Sequence, residues 1–386
     1  MRSCARASRQ ALFKLVIVPV TTRTMIQLIV RALLLITAIA CALTRFPANA
    51  GEVEDAEKAY ARKDFTQALA LLRKAAARGD AAAQFNLGTM YAKGNGVPQN
   101  YQEAATLFLQ SATQGYALAQ NSLGVRYEKG QGVPQNLPRA AQLYREAAEQ
   151  RLGLAQDNLS DLFTRGFGVD QDLVLAHVWS SLASANAEAG AARKRAMIER
   201  VMTREQLAEA TTHLGTMFAR GRGVAQDAKR AAQYFQKAAL QGHAVAQFEL
   251  AECYDKGDGV AQDYRQAATW YEKSAAQGYA RAQTSIAFMV ETGQGVAIDA
   301  KRAAYWYTQA AAQNDPIAQY NLGAMVESGR GIKQDHIEAH KWFNIAEVNG
   351  NREAMAARRL VESLMTSDQI DDAQRRASDW MKKNVR

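Results

Sequence analysis

A four-residue signature, Gly-x-Gly followed by Val or Ile, returns along this chain at a fixed interval, and the interval limits what the chain can fold into. It stands at Gly94–Val97, Gly130–Val133, Gly166–Val169, Gly221–Val224, Gly257–Val260, Gly293–Val296 and Gly329–Ile332. Successive first glycines are 36, 36, 55, 36, 36 and 36 residues apart. A period of this size belongs to stacked supersecondary units, each too small to bury its own apolar face alone.

The columns of the repeat predict two helices joined by a tight loop. Eleven residues before the first glycine stands Ala in every copy (Ala83, Ala119, Ala155, Ala210, Ala246, Ala282, Ala318). Leu or Ile follows four residues later, as at Leu87 and Ile286, and Tyr, Phe or Val four later again, as at Tyr91 and Phe218. These spacings make one apolar stripe at the helical period. The first glycine suits the left-handed position just past a helix end. Six residues after it, Asn100, Asn136, Asp172, Asp227, Asp263, Asp299 and Asp335 suit the N-cap of the second helix. That helix carries Ala at plus ten in all seven copies, and Leu, Tyr or Trp at plus thirteen, as at Leu107, Tyr234 and Trp270. The plus-thirteen tryptophans read as core rather than as a stacking platform.

This pattern, fitted most fully by Ala244 to Gly278, resembles the Sel-one-like repeat family, short helical relatives of tetratricopeptide repeats. The resemblance covers residues 54–386 and implies an all-α, right-handed α-solenoid of antiparallel helix pairs. It also implies an adaptor or scaffold, with no catalysis and no cofactor. Members of the family often serve envelope assembly, polysaccharide export or sensor-kinase regulation. Others carry a cysteine pair in each repeat and bind β-lactams weakly; that cysteine pattern is absent here.

Residues 1–50 are different in kind. They hold seven basic residues and no acid, and the run Ala32–Leu43 is too short for a comfortable membrane span. It is followed by Ala48-Asn49-Ala50, so the stretch reads as a secretory signal peptide, with Met25 a better-sized start than Met1. A mitochondrial transit peptide is the rival reading; a lipid anchor on Cys41 is disfavoured by Ala38, where a leucine is usual. Removing the leader takes seven from the 47 basic residues and leaves 40 against 38 acids, so the net charge of +9 falls to +2. The basicity therefore gives no argument for a nucleic-acid partner.

The step of 55 is informative. Ala176 to Ala210 aligns without gaps on Ala339 to Ala373, sharing Ala-His-x-Trp, Met-Thr and Gln206 with Gln369. Thr203 and Thr366 read as capping boxes with those glutamines. The simplest account is two tandem arrays, 51–210 and 211–386, each closed by the same end-cap, with a helix over about 203–220 shared between them and a stiff bend or mild hinge near 188–210. About nineteen helices and no sheet are expected, after a degenerate first repeat over 54–78.

Motifs for chemistry are scarce. Val or Ile follows the second glycine where a phosphate-binding loop would need Lys and Ser or Thr, so the loops are turns. Cys253, alone once the leader is removed, sits in a column held by Met or Leu at Met90, Leu162, Met217, Met289 and Met325 and reads as a small core residue. His336 and His340 share a helical face, but His340 is the counterpart of His177 and packing outweighs a metal site.

What remains is surface. Eight, five and one residues before each loop, the first helix turns away from its apolar stripe, and the resemblance places this face along a concave groove. Its candidate partner-binding residues are Asn86, Thr89, Lys93, Ser122, Lys129, Asp161, Arg165, His213, Arg220, Glu249, Glu252, Lys256 and Phe288. A solvated face is the plain reading; a protein-docking strip is the functional one. Together these features predict an exported scaffold in a Gram-negative envelope, periplasmic or secreted and spanning no membrane after cleavage, with a protein partner and a possible association with peptidoglycan. A weak hydrolase or binder acting on β-lactams or peptidoglycan, and a secreted host-facing effector, are the alternatives.

Overall fold

The computed structural model describes residues 50–384. The expected leader and its cleavage signature lie, Ala50 apart, outside them. The described residues form nineteen helices and no strand. They fall into two compact units, one ending at Ala83 and the other beginning at Gln84.

The first unit holds the degenerate repeat, α1 (Ala50–Ala61) against α2 (Phe65–Ala77). Asp64 caps α2, accepting from the Gln67 amide at 3.0 Å, and Lys63 takes the left-handed φ of 64° that later repeats give to glycine. Ala56, Ala59, Ala68 and Leu72 fill the space between the helices. Glu52 is held by Lys74 at 2.8 Å and by Arg78.

The second unit is a stack of helix pairs. First helices are α3 (Ala81–Lys93), α5 (Ala117–Lys129), α7 (Gly153–Arg165), α10 (Arg204–Arg220), α12 (Ala244–Lys256), α14 (Ala280–Thr292) and α16 (Pro316–Ser328). Their partners are α4 (Tyr101–Thr113), α6 (Leu137–Glu149), α8 (Leu173–Ala185), α11 (Ala228–Leu240), α13 (Tyr264–Ala276), α15 (Ala300–Ala312) and α17 (His336–Val348). From α5 onward each second helix packs on its own first helix and on the first helix of the next repeat, which makes an α-solenoid.

The end chemistry is as the columns predict. All seven Asn and Asp residues accept from backbone amides of the following turn. The seven first glycines have φ between 63 and 78°. The plus-ten alanines are all buried, Ala267 and Ala303 completely. Most plus-thirteen side chains are core, but Tyr234 and Trp306 are only half-buried.

Three further columns escaped the sequence reading. At plus fourteen, aromatic rings lie against the small residue of the facing helix; a Cβ on Gly124 would stand 2.7 Å from Tyr144 Cε1. Where this ring is Tyr, its hydroxyl donates to a carboxylate: Tyr144 to Glu128 at 2.6 Å, Tyr271 to Glu252 at 2.7 Å and Tyr307 to Glu291 at 3.0 Å. The second glycine of the loop is a contact point: a Cβ on Gly259 would fall on the Ala228 carbonyl of the preceding second helix.

The third column is a buried glutamine ten residues before the loop. Gln247 Nε2 donates to the Ala239 carbonyl of the repeat before it, at 3.2 Å, while its own Oε1 accepts from Gln277 at 2.7 Å. Gln283 does the same with Ala275 and Gln313, and Gln319 with Ala311 and Asn349. One side-chain amide thus ties three helices, satisfying groups whose burial unpaired would cost about 1–3 kcal/mol each.

The insertion folds as its copy at the end of the chain does. Helix α9 (Ala191–Glu199) matches α18 (Ala354–Glu362), and α10 and α19 (Ser367–Asn384) begin at equivalent residues. Helix α8 packs on both α9 and α10, as α17 packs on both α18 and α19. Thr203 and Gln206 form the expected capping box, with Thr203 N donating to Gln206 Oε1 at 2.9 Å; Thr366 and Gln369 repeat it, also at 2.9 Å. Helix α10 runs unbroken across residue 210 and packs on α8 and α11.

Candidate functional site

The three surface columns of the first helices leave the core as their spacing requires. Lys93, Lys129, Arg165, His213, Arg220 and Lys256 are exposed at the edges. Asn86, Thr89, Ser122, Asp161, Glu249 and Glu252 are half-buried. Phe288 is 50% exposed, a large apolar ring open to solvent. Neighbouring columns touch across helices, Asn158 Nδ2 donating to Asn121 Oδ1 at 2.9 Å.

Two stretches of this strip are modified by the end-caps. Lys194 of α9 reaches over α7 and pairs with both Asp157 and Asp161 at 2.8 Å, so Asp161 is already engaged. At the C-terminal copy, Tyr320, Ala324 and Ala357 occupy the corresponding positions and are half-buried apolar residues.

Around α12 the strip is acidic and structurally committed. Burial raises Glu249 above the usual carboxylate range. Burial also works against the charge of Glu252, but its bonds to Lys256 and Tyr271 prevail and hold it below that range. Both line a recess of about 220 Å³ with Cys253. Burial pushes the Cys253 thiol up to about 12, so it is protonated at neutral pH and a poor nucleophile. His340, read from sequence as packing, is fully buried with Nε2 2.9 Å from Glu362 Oε1. Among the described residues no cluster of His, Cys, Asp and Glu has the geometry of a metal site.

The closure of the joint at the insertion has no counterpart in the repeat columns. There the loop glycine does not seat on the first residue of the preceding second helix; Gly223 lies instead near the Ala148 carbonyl, Gln156 and the Trp179 ring. Its own carbonyl accepts from Gln156 Nε2 at 2.6 Å and from Asn186 Nδ2 at 3.0 Å, and Val224 behind it is buried. Arg222 reaches back to Glu149. The glutamine column is interrupted here once, by Thr211. Its neighbour Thr212 instead contacts His243 Nδ1 at 2.9 Å.

Two hollows open beside this joint. One, of about 400 Å³, is lined by Glu209, Thr212, His213, Thr216, Arg220 and His243 among others. The second, of about 290 Å³, has Phe163, Leu175, Val178 and Trp179 in its floor and Arg145 and Glu149 at its rim. His213, Met217 and Arg222 line both. His213 and Arg220, chosen from sequence as surface columns, thus border a concavity. Arg145 and Trp179, which complete it, come from second helices that the column argument assigned to core or left aside.

Comparison with known proteins follows the repeat. The Sel1 repeat profile matches residues 57–80, 81–116, 117–152, 153–187, 208–243, 244–279, 280–315 and 316–347. No curated protein matches the chain. Among solved structures it is similar to c5321, a protective antigen of uropathogenic Escherichia coli displaying an SLR fold, at 26% identity over 89% of this chain and 94% of that one (TM-score 0.36). A Sel1 repeat protein from Oxalobacter formigenes is 30% identical over 68% of this chain and 97% of its own (TM-score 0.35). The immunity protein Pa5087 of Pseudomonas aeruginosa is 17% identical over 60% and 81% (TM-score 0.25).

Proposed function

Because the chain belongs to the Sel1 repeat family, we propose that it is an exported scaffold whose first-helix strip holds a protein partner in the bacterial envelope. Sel1 repeat proteins typically mediate protein–protein interaction, and the fold is typically a non-catalytic scaffold. The observation that carries the reading is the strip itself. Successive first helices turn the same three columns out of the core, and Phe288 stands exposed among polar neighbours as an anchor for a partner. Export is supported by the acid-free leader ending in Ala48-Asn49-Ala50. No helix among the described residues is long and apolar enough to cross a membrane.

The test is crosslinking and capture of the tagged protein in its native cell, with fractionation of the envelope. A reproducible protein partner, recovered from the envelope and lost on Phe288→Ala or Glu249→Lys, is the expected outcome. Capture that is empty, or unchanged by both substitutions, counts against the strip. Acylation by a β-lactam or turnover of a peptidoglycan fragment counts against a purely binding role.

A further inference from the structure

The joint hollows have features that the regular repeats do not reproduce. At Gln156, Gln247, Gln283 and Gln319 the glutamine amide ties its first helix to the helix pair before it, and in the regular repeats the second loop glycine seats on the start of the preceding second helix. At α10 Thr211 replaces that glutamine, and the loop is displaced onto α6–α8. A polar hollow and an apolar-floored hollow remain side by side, sharing His213, Met217 and Arg222.

The linings carry a positive excess, with Arg145, Arg220 and Arg222 against Glu149 and Glu209. Arg222 is taken up by Glu149, and Glu209 lies 3.9 Å from His213. Among the described residues Arg145 and Arg220, both exposed, have no carboxylate at salt-bridge distance. His243 lines the polar hollow, its Nδ1 2.9 Å from the Thr212 hydroxyl, which itself donates to the Ala208 carbonyl. Burial, the main effect on this ring, lowers its value and favours the neutral form.

We infer that the joint binds an acidic peptide segment, with an apolar side chain over Met217 and the Trp179 floor and carboxylates paired by Arg220 in one hollow and Arg145 in the other. Charge complementarity selects this occupant: a guanidinium fork pairs a carboxylate in two parallel bonds, and the adjoining apolar floor supplies an anchor. A basic segment would meet like charge, and an uncharged one would gain no ion pair from either arginine. The inference rests on the scaffold reading and adds the chemistry of the partner.

A random peptide display library selected against the immobilised full-length protein tests it. Enrichment of peptides with Asp or Glu close to Leu, Ile or Phe is expected. A labelled winner should weaken about tenfold or more on Arg220→Glu or Arg145→Glu, and should weaken as salt rises. Both substitutions are at exposed positions, and an unchanged melting temperature confirms that the fold is intact. Amidating the peptide C-terminus separates a terminal carboxylate from a side-chain one. Enrichment of basic peptides, no enrichment, or acidic winners indifferent to both substitutions overturns the assignment. Winners lost on Phe288→Ala but not on Arg220→Glu overturn it and leave the scaffold reading standing. No enrichment together with empty cellular capture removes both.

Discussion

His177 and His340 stand at equivalent places in the two end-caps, and each has Nε2 2.9 Å from the glutamate that ends the short cap helix, Glu199 or Glu362. The Nδ1 atoms of both rings are buried without a partner. For His177, burial dominates and holds the imidazole below its ordinary value, although Glu199 pulls the other way; Arg195 and Lys237 add to the lowering. A proton placed on Nδ1 would find no acceptor, so the folded chain resists it where the unfolded chain accepts it below about pH 6.5. Stability at this position is full above that pH and declines as pH falls. Between about pH 7.5 and pH 5.5 the urea midpoint of the parent should therefore drop further than that of His177→Gln. Equal drops would refute the assignment. The position of His177 and its pairing with His340 in the alignment were legible in the sequence. The glutamate 22 residues away was not, because the short cap helix shows no clear apolar periodicity to fix which side it turns inward.

At the scale of the element, local chemistry was the readable part. N-cap Asn and Asp, C-cap glycine and the Thr–Gln capping boxes act within one turn of chain, so sequence spacing alone locates them. Contacts between helices were read only where a column was invariant, as with the plus-ten alanine. The plus-fourteen rings were passed over because Phe, Tyr and one serine alternate there; what is constant is their seat against a small residue on the facing helix. Ala267 is fully buried, and Ala267→Phe should overpack its helix pair at a cost of about 1–3 kcal/mol. A denaturant midpoint within error of the parent would show that the pair has room to spare.

At the scale of the whole molecule, repeat chains owe their stability to terms within units and between neighbours. In the second unit the insertion lengthens the chain without leaving the two sides unconnected. Gln156 donates both to Ala148 of its own side and to Gly223 of the other, and Asn186 donates to the same Gly223 carbonyl. Gln156→Ala removes the bonds to Ala148 and Gly223 that Gln156 itself donates and should destabilise by about 1–3 kcal/mol. Amide exchange should quicken in α10 and α11 more than in α4 and α5; a uniform change along the unit would mean that the joint has no special role. The duplication of the cap was legible from the gapless alignment. The lock was not, because the Gly223 carbonyl that both amides meet is a backbone atom and leaves no trace in residue type.

The glutamine latch has a consequence for how such a chain changes over generations. Each latch draws one bond from its own repeat and one from the carbonyl just upstream, which every regular repeat offers at the same place. Recombination that adds or drops thirty-six residues within a regular stretch restores a latch across the new seam, whichever two repeats are joined. A crossover that removes Gly223 while keeping Gln156 and Asn186 takes one acceptor from each, leaving Gln156 on Ala148 and Asn186 on Gln156. The joint is therefore the place where the gene tolerates length change least, and the regular arrays on either side are where copies can be gained and lost.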